Sequence, residues 1–296
     1  MIPFVRDIRF EYGQVDQVSP LIRRVVADNP GPFTYTGTGT YIVGRGRTAV
    51  IDPGPALDAH LAAILAATRG ETISHIFVTH SHLDHSPLAR PLAEATGATI
   101  YGCALGAGGP EDGPPMEAGD DDGFVPDVSV CAGARIDGPG WTIEAIPTPG
   151  HTSNHVCYAL LEENALFSGD HIMGWSTTVI SPPDGDMGAY YDSLDRVQAR
   201  GFATLWPTHG PPVTEVSPFI DAYRAHRRDR ERQIREQLAA GRTRIKDMVP
   251  AMYAAVDPRL HPAAARSVLA HMLHMVRAGE VQAAGEPGLD SDYRLA

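Results

Sequence analysis

Residues 79–86 read Thr-His-Ser-His-Leu-Asp-His-Ser, directly after the apolar run Ile76-Phe77-Val78. Three imidazoles and a carboxylate within six positions form a dense set of nitrogen and oxygen donors, the kind that binds divalent metal ions. One short segment cannot wrap an ion alone, because zinc takes about four ligands. Three further stretches share the same character: Thr148-Pro149-Gly150-His151, Phe167-Ser168-Gly169-Asp170 and Pro207-Thr208-His209-Gly210. Each follows an apolar run and ends on a ligand-type residue beside glycine or proline. The set is then His80, His82, Asp84, His85, His151, Asp170 and His209, too many for one zinc ion and suited to two that share a bridge. Such a pair activates water near pH 7 and polarises a carbonyl or phosphoryl oxygen, which is hydrolytic chemistry.

A cluster of this kind works only if strands end side by side and deliver it to one rim. The spacing of apolar and turn-forming residues predicts strands over 34–43 and 48–51 paired across Gly44-Arg45-Gly46, a helix over 59–68 and a buried strand over 73–79. The first histidine cluster then falls at the end of a strand, where layered folds of helices and sheets keep their chemistry. A helix over 88–95 and a strand over 99–101 follow. Gly, Pro and acidic residues dominate 106–122, which reads as a mobile surface loop. Further strands are expected over 141–146, 155–161, 165–168 and 204–206. After Pro218 the texture changes to three helices, over 219–239, 245–255 and 262–278, and a short ribbon over 281–284 and 293–295. Three helices and a ribbon make a winged-helix module, so the expected domains are 1–217 and 218–296.

Composition limits the function classes. With 296 residues, 43% of them hydrophobic, the chain can bury a full core. No apolar run reaches the ~18 residues of a membrane span and the first residues lack a signal-peptide pattern, so a cytoplasmic protein with no membrane partner is expected. The formal charge of −12 weighs against a nucleic-acid binder. Residues 223–247 run the other way, with nine Arg and Lys against four acids, and Arg224, Arg228 and Arg232 recur at helical spacing. That row is either a track for an RNA backbone or a solvated face laced with Asp229, Glu231 and Glu236. The cysteines, Cys103, Cys131 and Cys157, are odd in number, far apart and free of Cys-x-x-Cys spacing, and read as reduced core thiols. His75 and His155 read as packing or supporting histidines, and His171 more readily as packing than as a substrate contact.

Taken in order, Ile51-Asp52-Pro53-Gly54, His80-x-His82-x-Asp84-His85, His151, Asp170 and His209 resemble the ordered motifs of the metallo-β-lactamase superfamily, across residues 33–215. The resemblance implies a mixed α/β (α+β) fold: an αββα sandwich with a metal centre at one edge of its two sheets, followed here by the small winged-helix domain. It also implies an assignment, with His80, His82 and His151 on one zinc ion, Asp84, His85 and His209 on the other, and Asp170 bridging both. A hydroxide shared by the two ions is then the nucleophile, and Asp84 is the catalytic residue that both ligates and orients it. Asp52 fits a place behind the ligands, accepting the free N–H of a ligand histidine and fixing its tautomer. Iron or manganese are alternatives to zinc, since His and Asp donors accept several metals.

Within the superfamily, Asp170 separates the chain from the true β-lactamases, which lack the bridging aspartate. The chain resembles the β-lactamase-like-protein-2 branch, on Asn29-Pro30-Gly31-Pro32-Phe33-Thr34, Gly169-Asp170-His171-Ile172-Met173-Gly174, Tyr191-x-Ser193-Leu194 and His226-Arg227-x-x-Arg230-Glu231. That branch contains an endoribonuclease acting on single-stranded RNA and enzymes that release polyketides from carrier-protein thioesters. The resemblance therefore implies a hydrolase and leaves its substrate open between an ester or thioester of a small-molecule or carrier-bound acyl group and an RNA phosphodiester. The ester or thioester is favoured, with Met173, Trp175 and Tyr190 as candidate walls of an acyl pocket. A winged-helix regulator is the non-enzymatic alternative, discouraged by the full ligand set and by the lack of a base-reading cluster of Arg, Asn and Gln over 262–278. Two departures from the family pattern stand out: Gly39 where relatives often carry Asn, and Ser86-Pro87 in place of Gly-Gly.

Overall fold

The computed structural model describes residues 2–104 and 119–296; of the loop expected over 106–122, the part up to residue 118 lies outside them. Two sheets carry the fold. The first contains β1 (Val15–Gln17), β2 (Ile22–Val26), β3 (Gly39–Val43), β4 (Arg47–Ile51), β5 (Thr72–Phe77), β6 (Thr99–Gly102) and β7 (Val128–Ser129), each beside its predecessor. The second contains β8 (Ala134–Gly138), β9 (Trp141–Pro147), β10 (Val156–Leu160), β11 (Ala165–Gly169) and β12 (Thr204–Pro207), again in chain order. Pairing turns parallel where a helix joins two strands: α1 (Asp58–Ala67) between β4 and β5, α2 (Ala89–Thr96) between β5 and β6, and α3 (Met187–Arg200) between β11 and β12. β1, β2, β7, β8 and α3 are not among the elements expected from sequence.

Alternation along the strands sorts the core into layers. Tyr41, Val43, Ala49 and Ile51 of the first sheet meet Trp141, Ile143, Val156, Tyr158 and Phe167 of the second between the sheets. Ile42, Val50 and Ile76 face the other way and are covered by Ile64 of α1 and by Ala89 and Leu92 of α2. On the outer face of the second sheet, Cys157, Ala159 and Leu166 pack under Met187, Tyr190, Leu194 and Val197 of α3. Both sheets are therefore buried on both faces, which is why their strands read as near-continuous apolar runs. Each buried Ile, Leu, Val or Phe contributes about 1.5–3 kcal/mol. The layer order is helix, sheet, sheet, helix, the sandwich that the motifs implied.

Two buried tyrosines stitch the sheets together at the rim. Tyr158 of β10 donates to the Val78 carbonyl at 2.8 Å, and Tyr41 of β3 donates to the Pro207 carbonyl at 2.7 Å. Val78 and Pro207 immediately precede Thr79-His80 and Thr208-His209.

The C-terminal winged helix comprises α4 (Val216–Ala239), α5 (Ile245–Met252), α6 (His261–Arg277) and an antiparallel ribbon of β13 (Val281–Ala283) and β14 (Tyr293–Leu295). Helix α4 has 24 residues and at 1.5 Å per residue is about 36 Å long. It belongs to two cores. Val216, Phe219, Ile220 and Tyr223 complete the layer over the second sheet, whereas Ile234 and Leu238 pack with Met248, Val268, Met272 and Tyr293.

The cysteines correct an expectation. Cys103, just after β6, and Cys131, just after β7, form a disulfide with their Cα atoms 5.1 Å apart and a sequence separation of 28. Only Cys157 is the buried free thiol that was expected, and burial pushes its pKa up to about 12.

Candidate metal centre

The seven ligand-type side chains gather at the rim where β5, β9, β11 and β12 end. One donor atom each from His80, His82 and His151 lie within 4.8 Å of one another, as do those of His80, His85 and Asp170, and those of Asp84, His85 and His209. His209 Nε2 is 3.0 Å from Asp84 Oδ2, and Asp170 Oδ1 is 3.7 Å from His85 Nε2 and 3.6 Å from His209 Nε2. Because Asp170 also groups with His80, it reaches both halves of the cluster. His85 Nε2 and Asp170 Oδ1 are buried and complete no hydrogen bond within the protein, a cost of about 1–3 kcal/mol each unless another partner satisfies them. Imidazole and carboxylate donors at this spacing, with such atoms turned inward, fit divalent first-row metal ions.

The opposite nitrogens of these rings are anchored. Asp52 is fully buried and receives four donors: the Thr79 N–H at 2.8 Å on Oδ1, and on Oδ2 the Thr79 hydroxyl at 2.8 Å, His85 Nδ1 at 2.9 Å and the Thr208 hydroxyl at 2.7 Å. Its backbone is left-handed, with φ 48°, a conformation that costs a non-glycine residue about 1–2 kcal/mol and that these bonds hold in place. His151 Nδ1 donates to the Val179 carbonyl at 2.7 Å, and His209 Nδ1 to the Gly37 carbonyl at 3.2 Å. A proton kept on Nδ1 leaves the Nε2 lone pair for an ion. His155 accepts the Asp170 backbone N–H at 3.2 Å and meets the Thr148 hydroxyl at 2.8 Å. That approach requires glycine at 169, where φ is +51° and a Cβ would fall 2.6 Å from His155 Nε2.

Electrostatics divide the cluster. Burial and the neighbouring imidazoles push His82 down to about 3 and His80 well below its usual value, so both are neutral donors. Burial alone would raise the Asp84 carboxyl, but His85 and His209 outweigh it and hold it at about 2. Asp170 is held low against its burial by His209 and His85, and His85 is raised against its burial by Asp84, Asp170 and Asp52. Neutral His80 and His82 therefore sit beside ionised Asp84 and Asp170, an arrangement that attracts cations.

Met173 and Trp175 line a cavity of about 300 Å³ between the sandwich and the winged helix, together with Phe33, Arg230 and Tyr253. Tyr190, expected in the same wall, is elsewhere. It belongs to the inward stripe of α3, is fully buried and donates its hydroxyl to the His171 carbonyl at 2.8 Å. His171 is buried too, edge-on to Tyr190 with ring centres 5.0 Å apart.

Several contributors escaped sequence reasoning. Thr79 and Thr208 both send hydroxyls to Asp52; the signal was a Thr-His pair occurring twice. Thr38 donates its hydroxyl to the Asp84 carbonyl at 3.0 Å, and the Gly39 N–H donates to the Thr208 carbonyl at 2.7 Å, so one segment clamps two ligand-bearing loops. A Cβ at residue 39 would lie 3.1 Å from that Thr208 oxygen, a tight contact. Asp120 lies 3.6 Å from His82 Nε2, and Asp121 accepts from the Ser86 hydroxyl at 2.7 Å. Both acids fall in the stretch read only as loop.

Comparison with known proteins agrees with this geometry. Residues 35–209 match the model of the family described as "Metallo-beta-lactamase superfamily", and residues 245–289 that of the "Beta-lactamase associated winged helix domain". A beta-lactamase-like protein 2 homolog of Caenorhabditis elegans is 33% identical over 229 residues, which are 74% of this chain and 72% of that one. An atrochrysone carboxyl ACP thioesterase of Aspergillus aculeatus is 33% identical over 223 residues, 74% of this chain, and the chain spans 65% of its length. A crystal structure of a beta-lactamase domain protein from Burkholderia ambifaria shares the fold over 100% of this chain and 97% of that one, with a TM-score of 0.79 at 20% identity.

Proposed function

The chain belongs to the metallo-β-lactamase superfamily and is a metal-dependent hydrolase, and we propose that it cleaves carboxylic thioesters with two divalent ions, zinc in the first instance, held by the seven clustered residues. His80, His82 and His151 would hold one ion, Asp84, His85 and His209 the other, and Asp170 both. Ions bound there supply Lewis acidity and an activated water near neutral pH. The chain's own residues do the rest. Asp84 would help to hold an ion and orient the attacking water, while Asp52, Thr79 and Thr208 keep the His85 ring in its register. Water adds to the thioester carbonyl, the carbon–sulfur bond breaks, and a carboxylic acid and a thiol leave.

The observation that carries the substrate class is the likeness to proteins named as carrier-protein thioesterases; a mostly apolar cavity of about 300 Å³ behind His151 shows that the contact between sandwich and winged helix leaves room for an apolar group. An RNA substrate needs a free basic track. Along α4, however, Arg224 is paired with Asp195 and Asp221, and Arg232 with Asp229 and Glu236. Helix α6 is turned towards the sandwich, with Ala263, Ala264 and Ser267 in the cavity wall, not presented to a DNA groove as a regulator's recognition helix would be. Among the described residues no helix is long and apolar enough to cross a membrane.

The test is a panel of acyl thioesters run beside labelled single-stranded RNA at low salt, with metal analysis of the same preparation. The expected result is thioester turnover, about two metal equivalents per chain, and loss of activity with a chelator that added zinc restores. RNA cleavage without thioester turnover would reverse the substrate assignment.

A further inference from the structure

Two arginines of α4 are set apart from their neighbours. Arg224, Arg232 and Arg235 each pair with a carboxylate, whereas among the described residues Arg227 and Arg230 pair with none. Glu231, one turn along from Arg227, accepts from the Tyr191 hydroxyl at 3.1 Å and faces His271 Nδ1 at 3.3 Å instead. Arg227 is only 3% exposed, donates to the Thr178 carbonyl and lies over the Tyr190 ring at 5.3 Å. Arg230 lies over the Tyr253 ring at 4.3 Å and reaches the Gln233 side chain and the Met252 carbonyl. A guanidinium buried without a counter-ion is costly, and in a chain with a formal charge of −12 acids are not scarce.

Both arginines line the cavity between the sandwich and the winged helix. Its volume of about 300 Å³ is at the lower end of the range for small-molecule sites, roughly 300–1,000 Å³. Phe33, Met173, Val256 and Leu260 are among its apolar walls, and no carboxylate lines it. Trp175 Nε1, His226 Nδ1 and Arg227 Nε, all on lining residues, are buried and complete no hydrogen bond within the protein. Burial, with Arg227 and Arg230 beside it, pushes the His226 pKa down to about 4, so that ring is neutral and the two guanidiniums set the charge of the cavity. The space therefore combines apolar walls, unpartnered N–H donors and two positive charges, and its lining supplies no anion.

What binds there is held apart from the reaction. None of the seven ligand-type residues lines the cavity. Val179, in its wall, accepts from His151 Nδ1, and Trp175 rests against Gly210, where a Cβ would fall 2.8 Å from the indole Cδ1. Gly210 follows His209, so a layer of chain stands between the cavity and the metal cluster. An occupant is thus a second ligand, not the substrate.

We propose that the cavity is a ligand site separate from the metal centre, and that it takes a small amphipathic anion: a ring or short apolar body bearing one carboxylate or phosphate group. The body lies along Phe33 and Met173, and the anionic group meets Arg230 and Arg227 in charge-assisted hydrogen bonds.

Binding calorimetry on the metal-loaded full chain tests it, with 2-naphthoate, 2-naphthyl phosphate and the neutral 2-naphthalenemethanol as probes. At least one of the two anions is expected to bind about tenfold or more tightly than the alcohol, and the tighter anion tells carboxylate from phosphate. Arg230→Gln should weaken that anion about tenfold, and Arg230→Lys should recover part of the loss. The cavity-filling Ala263→Trp, on a different helix, should weaken it to a similar degree with a native circular dichroism spectrum. An anion bound by the metal ions instead would be blind to all three substitutions. Anion binding indifferent to both Arg230→Gln and Ala263→Trp, or an alcohol that binds as tightly as the anions, therefore overturns the site. Thioester turnover plays no part in these titrations, so the thioesterase reading stands or falls separately.

Discussion

Replacing Asp52 by Asn removes a charge from beneath the metal centre while keeping the side chain's volume. Oδ1 still accepts the Thr79 N–H. The second oxygen, which now receives His85 Nδ1 at 2.9 Å and the hydroxyls of Thr79 and Thr208 at 2.8 and 2.7 Å, becomes an amide nitrogen that donates. The two hydroxyls can turn and accept from it. His85 cannot keep its Nδ1 proton facing another donor, and it relieves the clash by moving that proton to Nε2, the nitrogen turned towards the cluster. A hydrogen bond to a charged partner is worth about 1.5–3 kcal/mol, which corresponds to roughly 10- to 100-fold in a binding constant. Loss of a partner behind a metal ligand weakens binding over the same range, about 10–100-fold. The expected outcome for Asp52→Asn is a zinc dissociation constant raised by about that factor in competition with a chromophoric chelator, with a native circular dichroism spectrum. Activity should return largely when metal is supplied in excess. A variant that binds zinc within threefold of wild type would show that the His85 tautomer is set by something other than Asp52.

Other outcomes follow from the same structure. His60 is buried against the Thr40 hydroxyl at 2.7 Å, and burial lowers its pKa to about 4. Its folded pKa is depressed, so the unfolded chain takes up the proton first; its contribution is complete above pH 6.5 and is lost as pH falls towards 4. At pH 5 that loss is on the order of 2 kcal/mol, read as a steeper fall in urea stability between pH 7 and 5 for wild type than for His60→Gln. Replacing both Cys103 and Cys131 by Ser opens a loop whose ends lie 28 positions apart and should lower stability by about 3–4 kcal/mol on loop-entropy grounds. Dithiothreitol should reproduce that loss in wild type and leave the double variant unchanged, a comparison that also shows whether the bond would survive in a reducing compartment. Arg228, exposed beside two neutralised arginines, should be dispensable: Arg228→Glu is expected to change thioester kcat/KM by less than about twofold, and a larger loss would implicate the outer face of α4 in substrate binding.

The ligand-type residues were legible because the physics that makes them useful also marks them in sequence. A buried strand must be apolar, and a donor at its end is sharply polar, so His80, His151, Asp170 and His209 stand out as abrupt changes of character. The sandwich was legible through the same strands, whose doubly buried faces leave unbroken apolar runs. The disulfide was not, because its formation depends on the pairing of β6 with β7, whose ends bring Cys103 and Cys131 side by side, which no spacing encodes. Helix α3 carried a readable signal in Met187, Tyr190, Leu194 and Val197 at helical period. Overlooking it is what left Tyr190 assigned to a pocket instead of the core. Arg227 and Arg230 were visible as charges, but only the three-dimensional structure separates them from the paired arginines around them.

The double allegiance of α4 bears on how such a protein can be cut and rejoined. A junction between residues 217 and 218 looks natural in sequence, yet it would strip Phe219, Ile220 and Tyr223 from above the second sheet. It would also release the Tyr223 hydroxyl, which accepts the Met173 N–H at 3.2 Å and donates to the Met173 carbonyl at 2.6 Å. The appended module is therefore no detachable cassette: a swap that spares the catalytic half must carry the first three turns of this rod along with it, and a tail grafted without them would leave a greasy scar on the donor.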